Sequence, residues 1–314
     1  MMKKPQIKDG VILTVIFLLI TATVVPSIVG VEDKNNNLTY DKSNSILEKD
    51  LSGDGETEYW AIIFAVGIYY KHPEQNIPSM IECAENLYGV LVDSPNWKED
   101  HIHKVTGSDA TGLRLIRELL WLRRNDDGDD MSLIYLASHG GPWVGKGGKL
   151  VDLPPKDEDD GADEVLAMYH GFDRWYARIW DDLLNFFLGL LDSKGVCLIV
   201  DSCYAGGFND EPLLAGIIVE DYTAELFAKG FAEDLAAPGR VVLMSCREDE
   251  VEYGSVFSEF LINGFSGQAD IFGNMDGINS AEEAFEYVLS EIWDEQHPTI
   301  LDLYQGEFPV TYSQ

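Results

Sequence analysis

Short apolar runs alternate with longer amphipathic segments along most of the chain. The runs are rich in β-branched and aromatic residues, which is typical of strands buried on both faces of a parallel sheet. We predict strands at Tyr59–Gly67, Ser132–Ser138, Val196–Asp201 and Val241–Ser245, and a weaker one at Ile102–Val105. Helical periodicity predicts helices at Ser79–Val92, Thr111–Arg124, Trp180–Leu191, Val256–Asn263 and Ala281–Trp293. This alternation favours a single α/β sandwich with right-handed crossovers.

The N-terminus has the residue order of a secretory signal. Three lysines precede an apolar run, Val11–Val25, and small residues follow up to Gly30. We therefore expect residues 1–30 to direct export, either as a cleaved signal peptide or as an anchor retained at the outer face of the membrane. Residues 31–57 are polar and predict a flexible lead-in. The folded domain is then expected at 58–314.

Composition limits the classes of partner. The chain has 314 residues, of which 46% are hydrophobic, and this is ordinary for a globular protein. Its 55 acidic residues against 22 basic ones give a formal net charge of −33. Such a charge repels phosphate backbones, so we expect no nucleic-acid partner. We also expect no obligatory disulfide among the four cysteines, because Cys197 lies inside a strand pattern and a chain of this size needs no covalent staple.

Chemistry-bearing residues follow two of the predicted strands. One strand ends in Ser138-His139-Gly140-Gly141, and the next ends in Asp201-Ser202-Cys203-Tyr204-Ala205-Gly206-Gly207. Ligand sites in parallel sheets lie beyond the carboxyl ends of the strands, so His139 and Cys203 are expected in one crevice. An adjacent imidazole activates a thiol and can protonate a leaving amine. The backbone amides of Gly140 and Cys203 are candidates for an oxyanion hole.

His139 and Cys203 are 64 positions apart, and the two motifs that contain them resemble those of the caspase-like cysteine peptidases. This family includes caspases, metacaspases, legumain and clostripain-type enzymes. The first predicted strand, at Tyr59–Ile63, resembles the first strand of the family, and the stretches at 163–166 and 297–307 are similar to prokaryotic and archaeal members. The resemblance implies a caspase-like three-layer α/β/α sandwich with a mostly parallel central sheet. It also implies an endopeptidase acting on protein or peptide substrates, with His139 as general acid/base and Cys203 as nucleophile.

Asp201 is the candidate for substrate selection. It precedes Cys203 by two residues, and alternate residues of a strand point the same way. A carboxylate there pairs well with Arg or Lys, and the metacaspase-like pattern implies cleavage after these residues. Family members often carry Cys and Asp three residues apart on the first helix, whereas this chain has Cys83-Ala84-Glu85-Asn86. Asn86 stands where the family pattern has Asp, and the neighbouring Glu85 is the candidate to supply the missing carboxylate. Selection of Asn or Asp before the cut bond, as in legumain, stays open as an alternative.

We expect no metal or cofactor in the catalytic step, although some metacaspase-like enzymes use Ca²⁺. Asn274-Met275-Asp276-Gly277 resembles a calcium loop, but its first ligand position would be Phe272. A capping box, in which Ser280 and Glu283 satisfy each other's backbone amides, is the favoured interpretation. The acidic run Asp157–Asp160 is interpreted as a solvated loop.

Two long segments flank the predicted site. Pro142–Gly161 follows the histidine and Phe208–Gly239 follows the cysteine, and loops of this length beside a site are usually functional. We expect one of them to gate the substrate or to be cut by the enzyme itself, with Lys146, Lys149 and Lys156 as candidate cut points.

Two other classes of function compete with a peptidase. A non-catalytic caspase-like module that binds peptides remains open, although both residues of the dyad are present. A nucleotide binder is disfavoured, because the segment after Cys203 has neither P-loop spacing nor a nearby Lys or Arg.

Overall fold

The computed structural model describes residues 53–145, 149–153, 161, 163–204, 208–209, 224–245, 255–292, 296 and 298–313. At 203–204, 208–209 and 224–229 only the backbone is described. Residues 49–314 form one compact unit. The expected export segment at 1–30 and most of the polar lead-in lie outside the described residues.

Eleven strands are assigned in the described part of the chain. They are β1 Tyr59–Ala65, β2 Ile102–Thr106, β3 Met131–Val144, β4 Glu164–Ala167, β5 Arg178–Trp180, β6 Gly195–Tyr204, β7 Phe208–Asn209, β8 Arg240–Met244, β9 Ile278–Ser280, β10 Thr299–Asp302 and β11 Pro309–Tyr312. All five strands predicted from apolar runs are present, as β1, β2, β3, β6 and β8.

Seven α-helices are assigned among the residues that the structure describes. They are α1 Ser79–Asp93, α2 Gly112–Asn125, α3 Asp181–Leu188, α4 Ala224–Leu235, α5 Val256–Asn263, α6 Ala269–Phe272 and α7 Ala281–Ile292. A π-helical turn, Gly264–Gln268, joins α5 to α6. Thr111 caps α2 by accepting the Arg114 amide hydrogen, which explains why this helix starts where the sequence predicts. In the described residues, no helix is long and apolar enough to cross a membrane.

The main sheet has the strand order β10-β8-β6-β3-β1-β2. Five of these strands are parallel, and β10 closes one edge antiparallel to β8. Off this path, β4 pairs antiparallel with β3 and with β5, while β9 and β11 form a separate two-stranded sheet. The sheet is thus mostly parallel, as the continuous apolar runs predict.

Alternate residues of each central strand feed two hydrophobic cores, one on either face of the sheet. In β1, Ile62 and Phe64 join the core covered by α2, α3 and α4, whereas Ala61 and Ile63 join the core covered by α1, α5 and α7. This period-two division places helices on both faces. The mixed α/β fold with helical layers around a mostly parallel sheet confirms the predicted fold class.

Two segments interpreted as loops contain regular structure. β3 continues through Pro142 to Val144, because β4 pairs alongside it in the register Gly140↔Leu166, Gly141↔Val165 and Pro142↔Glu164. The Phe208–Gly239 segment contains α4, whose Phe231 and Leu235 are fully buried. Both corrections have one cause: pairing and burial against distant elements stabilise segments that local Gly and Pro content marks as irregular.

Candidate active site

The His139 and Cys203 motifs meet through strand pairing. β3 and β6 are adjacent and parallel, and their register pairs His139 with Cys203, one step beyond Ser138 with Ser202. Both positions lie near the carboxyl ends of their strands, where sites form in parallel sheets. The pairing brings the two backbones to neighbouring positions. The side chain of Cys203 is outside the described part of the structure.

The imidazole of His139 is held by the loop that follows β1. Its Nε2 lies 2.8 Å from the carbonyl oxygen of Gln75, and the residue is only 3% exposed. A carbonyl oxygen can only accept, so Nε2 carries a proton in this contact. In the neutral ring Nδ1 is then the basic nitrogen, which is the atom available for proton exchange.

Two aromatic side chains contact the same imidazole. The Tyr69 ring lies 5.1 Å from it, and the Phe172 ring lies 5.5 Å away in an edge-to-face arrangement. The Tyr69 hydroxyl oxygen also accepts the His139 backbone N–H at 2.8 Å. Sequence reasoning did not identify these two residues, although Tyr69 follows the end of β1 closely and strand ends were the places to search.

The loops that carry these aromatic residues are tied to each other. The Tyr70 amide donates to the Tyr169 carbonyl at 2.8 Å, and Lys71 forms an ion pair with Asp173 at 3.5 Å. Lys71 adopts a left-handed backbone conformation with φ of 62°, which is uncommon outside glycine. The wall beside His139 is therefore built from the loop after β1 and the loop after β4.

Asp201 is fully buried at 0% exposure. Its Oδ2 accepts a hydrogen bond from Ser258 Oγ at 2.6 Å, and Ser258 also lies 2.9 Å from the Tyr135 hydroxyl. Its Oδ1 has no hydrogen-bond partner among the described residues. Because the carboxylate is completely covered, a substrate side chain reaches it only if covering residues move.

The three sequence-predicted residues of α1 have different surroundings. Cys83 is buried near Asp201, and burial together with the charge of Asp201 raises the pKa of its thiol to about 12. Glu85 is exposed and forms an ion pair with Lys104 of β2. Asn86 is also exposed. Cys83 is thus close enough to Asp201 to feel its charge, while the contact recorded for Glu85 is with the edge strand.

The proposed oxyanion amides belong to paired strands. Gly140 lies opposite Leu166 of β4 on one side and opposite Tyr204 of β6 on the other. Cys203 pairs with His139. Each amide therefore lies within the sheet, and oxyanion binding by these two amides stays a prediction.

Buried carboxylates near α3 offer the chemistry of a cation site. Oxygen atoms of Asp163, Asp181 and Asp182 lie within 4.8 Å of one another, and the first two residues are fully buried. Burial, with a contribution from the charge of Asp163, raises the pKa of Asp181 to about 7. Hard cations such as Ca²⁺ prefer oxygen ligands of this kind. Sequence reasoning searched for calcium elsewhere and missed this group.

Ser280 and Glu283 form the predicted capping box at the start of α7. The Glu283 amide donates to Ser280 Oγ at 3.1 Å, and the Ser280 amide donates to Glu283 Oε2 at 3.5 Å. Glu283 Oε1 accepts the Asn274 amide at 2.9 Å, so both carboxylate oxygens are engaged by the protein. The prediction of a helix cap is confirmed.

Several other predicted features fall partly or wholly outside the described residues. Cys83 and Cys197 are free buried thiols, while the side chains of Cys203 and Cys246 lie outside the described residues, so the expectation of no obligatory disulfide stays a prediction. Lys146, Lys156 and the acidic run Asp157–Asp160 lie outside the described residues. Lys149 is described and exposed, and its carbonyl accepts the Gly145 amide at 2.8 Å.

Comparison with known proteins bears on the family. No model of a protein family matches the chain. A stretch of 155 residues is 26% identical to "Metacaspase-1" of Saccharomyces cerevisiae, both in strain YJM789 and in strain S288c. The chain is similar to a metacaspase. The match covers 47% of this chain and 34% of the yeast protein, so the chain spans about a third of the length of the curated relatives it matches.

A solved structure supports the fold. Protein GSU0716 from Geobacter sulfurreducens covers 82% of this chain and all of its own length, with a TM-score of 0.53 and 14% sequence identity. At that identity the likeness shows the fold alone. The support for a caspase-like relationship is the partial metacaspase similarity, and the narrower link to prokaryotic and archaeal members stays a prediction.

Proposed function

We propose that this chain is a caspase-like cysteine endopeptidase with a dyad of Cys203 and His139. The observation that carries the proposal is the β3–β6 register, which pairs these two residues at the carboxyl ends of adjacent parallel strands. The partial similarity to yeast metacaspase-1 supports the same class of chemistry.

The proposed reaction is acyl transfer. The Cys203 sulfur attacks the carbonyl carbon of the cut bond, and its proton passes to His139. When the carbon–nitrogen bond breaks, His139 returns that proton to the leaving amine. Water then hydrolyses the thioester and regenerates the thiol. The Nε2–Gln75 contact supports this role, because it fixes the ring tautomer and leaves Nδ1 as the base.

Cleavage after Arg or Lys is the proposed specificity. It is supported by the buried Asp201 carboxylate, whose Oδ1 lacks a described partner. Selection of Asn or Asp, as in legumain, is the alternative. Glu85 and Asn86 are the weaker part of the proposal, since both are exposed on α1 and Glu85 pairs with Lys104.

The catalytic assignment is tested with a panel of fluorogenic peptides and a thiol-reactive probe. Cys203→Ala and His139→Ala should each reduce turnover by several orders of magnitude, with no additive loss in the double variant. Cys197→Ala is the matched control, because burial raises the pKa of that thiol and keeps it inert. Turnover that survives Cys203→Ala would instead favour a non-catalytic, peptide-binding module contaminated by another peptidase.

No metal or cofactor is proposed for the catalytic step itself. Asp163, Asp181 and Asp182 are the residues that would hold a Ca²⁺ ion if one regulates the enzyme. Unchanged activity in chelator supports a metal-free enzyme. Activity that is lost in chelator and restored by Ca²⁺ would assign a regulatory role to these carboxylates.

Export is also a proposal. It is supported by the lysines, the apolar run and the small residues of 1–30. An exported enzyme would act on extracellular proteins or peptides. N-terminal sequencing of the protein recovered from its native cells tests it. A start near residue 31 supports cleavage, an intact terminus in the membrane fraction supports an anchor, and an intact soluble cytoplasmic protein contradicts export.

A further inference from the structure

We propose that Ser258, supported by Tyr135, positions the Asp201 carboxylate to bind a cationic substrate side chain. The inference rests on the proposed function, because it adds residues to the pocket that would select Arg or Lys. It assigns Ser258 and Tyr135 as positioning residues, since both act through Asp201.

A chain of hydrogen bonds leads to one oxygen of the carboxylate. Ser258 Oγ lies 2.6 Å from Asp201 Oδ2, and an ionised carboxylate only accepts, so the serine donates. Tyr135 Oη lies 2.9 Å from Ser258 Oγ and donates to it in turn. All three residues are at most 1% exposed. Water therefore does not compete for these bonds, and the carboxylate orientation is set by the protein.

The second oxygen of the carboxylate is left for another group. Asp201 Oδ1 is buried without a hydrogen-bond partner among the described residues, and no Lys, Arg or His in that part of the chain forms an ion pair with Asp201. A buried, uncompensated carboxylate is costly to the folded state. A guanidinium or ammonium group that enters here would offset this cost and gain a charge-assisted hydrogen bond.

The Cys83 thiol does not compensate the charge of Asp201. The nearby Cys83 thiol stays neutral, because burial and the Asp201 charge oppose its ionisation. Ser255 Oγ is fully buried and also lacks a partner among the described residues. Ser255 directly precedes α5, and its carbonyl oxygen lies 3.9 Å from the Cys83 sulfur.

Steady-state kinetics on an arginine peptide test the inference. Ser258→Ala should raise KM about 10- to 100-fold, because one hydrogen bond to a charged group is lost, while kcat changes less than about twofold. Tyr135→Phe should raise KM by a smaller factor, and Ser258→Thr should restore it by returning the hydroxyl. Ser290→Ala is the matched control, since that serine is exposed on α7 and donates only to the Tyr287 carbonyl.

Binding of benzamidine to the Cys203→Ala protein, measured by calorimetry, separates this inference from the proposed function. Weaker amidinium binding after Ser258→Ala, with normal binding in Ser290→Ala, supports the inference even if no peptide is cleaved. The inference is overturned if Ser258→Ala and Ser290→Ala bind benzamidine equally well. It is also overturned if none of these proteins binds benzamidine. Melting curves establish that each variant is folded, and Tyr135→Phe carries the test if Ser258→Ala does not fold.

Discussion

Asp181 makes the stability of the folded domain depend on pH. It is fully buried at the start of α3, and burial raises the pKa of its carboxyl from 3.8 to about 7. An acid with a raised pKa binds more protons in the folded than in the unfolded state between these two values. The contribution of Asp181 to stability is therefore fully present below about pH 4 and is lost as pH rises toward 7. The difference between these two pKa values corresponds to at most about 4 kcal/mol of unfolding free energy.

Asp181→Asn should remove this dependence. The two carboxylate oxygens accept the amides of Asp182 and Glu164, at 2.7 and 2.6 Å, and asparagine can accept only one of them. The variant therefore loses about 1–3 kcal/mol of unfolding free energy near pH 4. This loss should shrink as pH rises toward 7, because only the wild type ionises a buried carboxyl there. The informative quantity is the slope of unfolding free energy against pH, which should be flatter in the variant between about pH 4 and 7.

Urea unfolding at half-unit pH steps, in chelator, measures these slopes. Asp109→Asn is the control, because Asp109 is exposed and its substitution should leave the slope unchanged. Burial also raises the pKa of Glu282 to about 7, so stability should still depend on pH in Asp181→Asn. The test is therefore the difference in slope between the wild type and the variant. Parallel slopes for the wild type and Asp181→Asn would refute the reasoning.

Three further substitutions test the site and the fold. Tyr69→Phe leaves the buried His139 amide without its acceptor and should lower kcat about tenfold with little change in KM, measured on the preferred peptide. An unchanged kcat would exclude a positioning role for that hydroxyl. Ser280→Ala removes the cap of α7 and should cost about 1 kcal/mol in urea unfolding. Phe231→Ala should cost about 3–5 kcal/mol, and a loss below 1 kcal/mol would contradict its burial in α4.

Most elements of the fold were predictable from local patterns. The five apolar runs correspond to strands, and the predicted helix at Val256–Asn263 matches α5 in both bounds. The pattern succeeds because strands covered on both faces need continuous apolar residues, and helices beside them need one apolar face. It fails at the end of β3 and at α4, where pairing with β4 and burial of Phe231 outweigh local propensity.

The sequence by itself determined the alternation of strands and helices and the placement of His139 and Cys203 after two strands. Only the tertiary structure decided which distant groups surround them. Tyr69 reaches the His139 amide from 70 residues away, and Ser258 reaches Asp201 from 57. Periodicity reports which face of an element is buried. It carries no information on which side chains of other elements meet that face, because the path of the crossovers and the packing of the layers set those contacts.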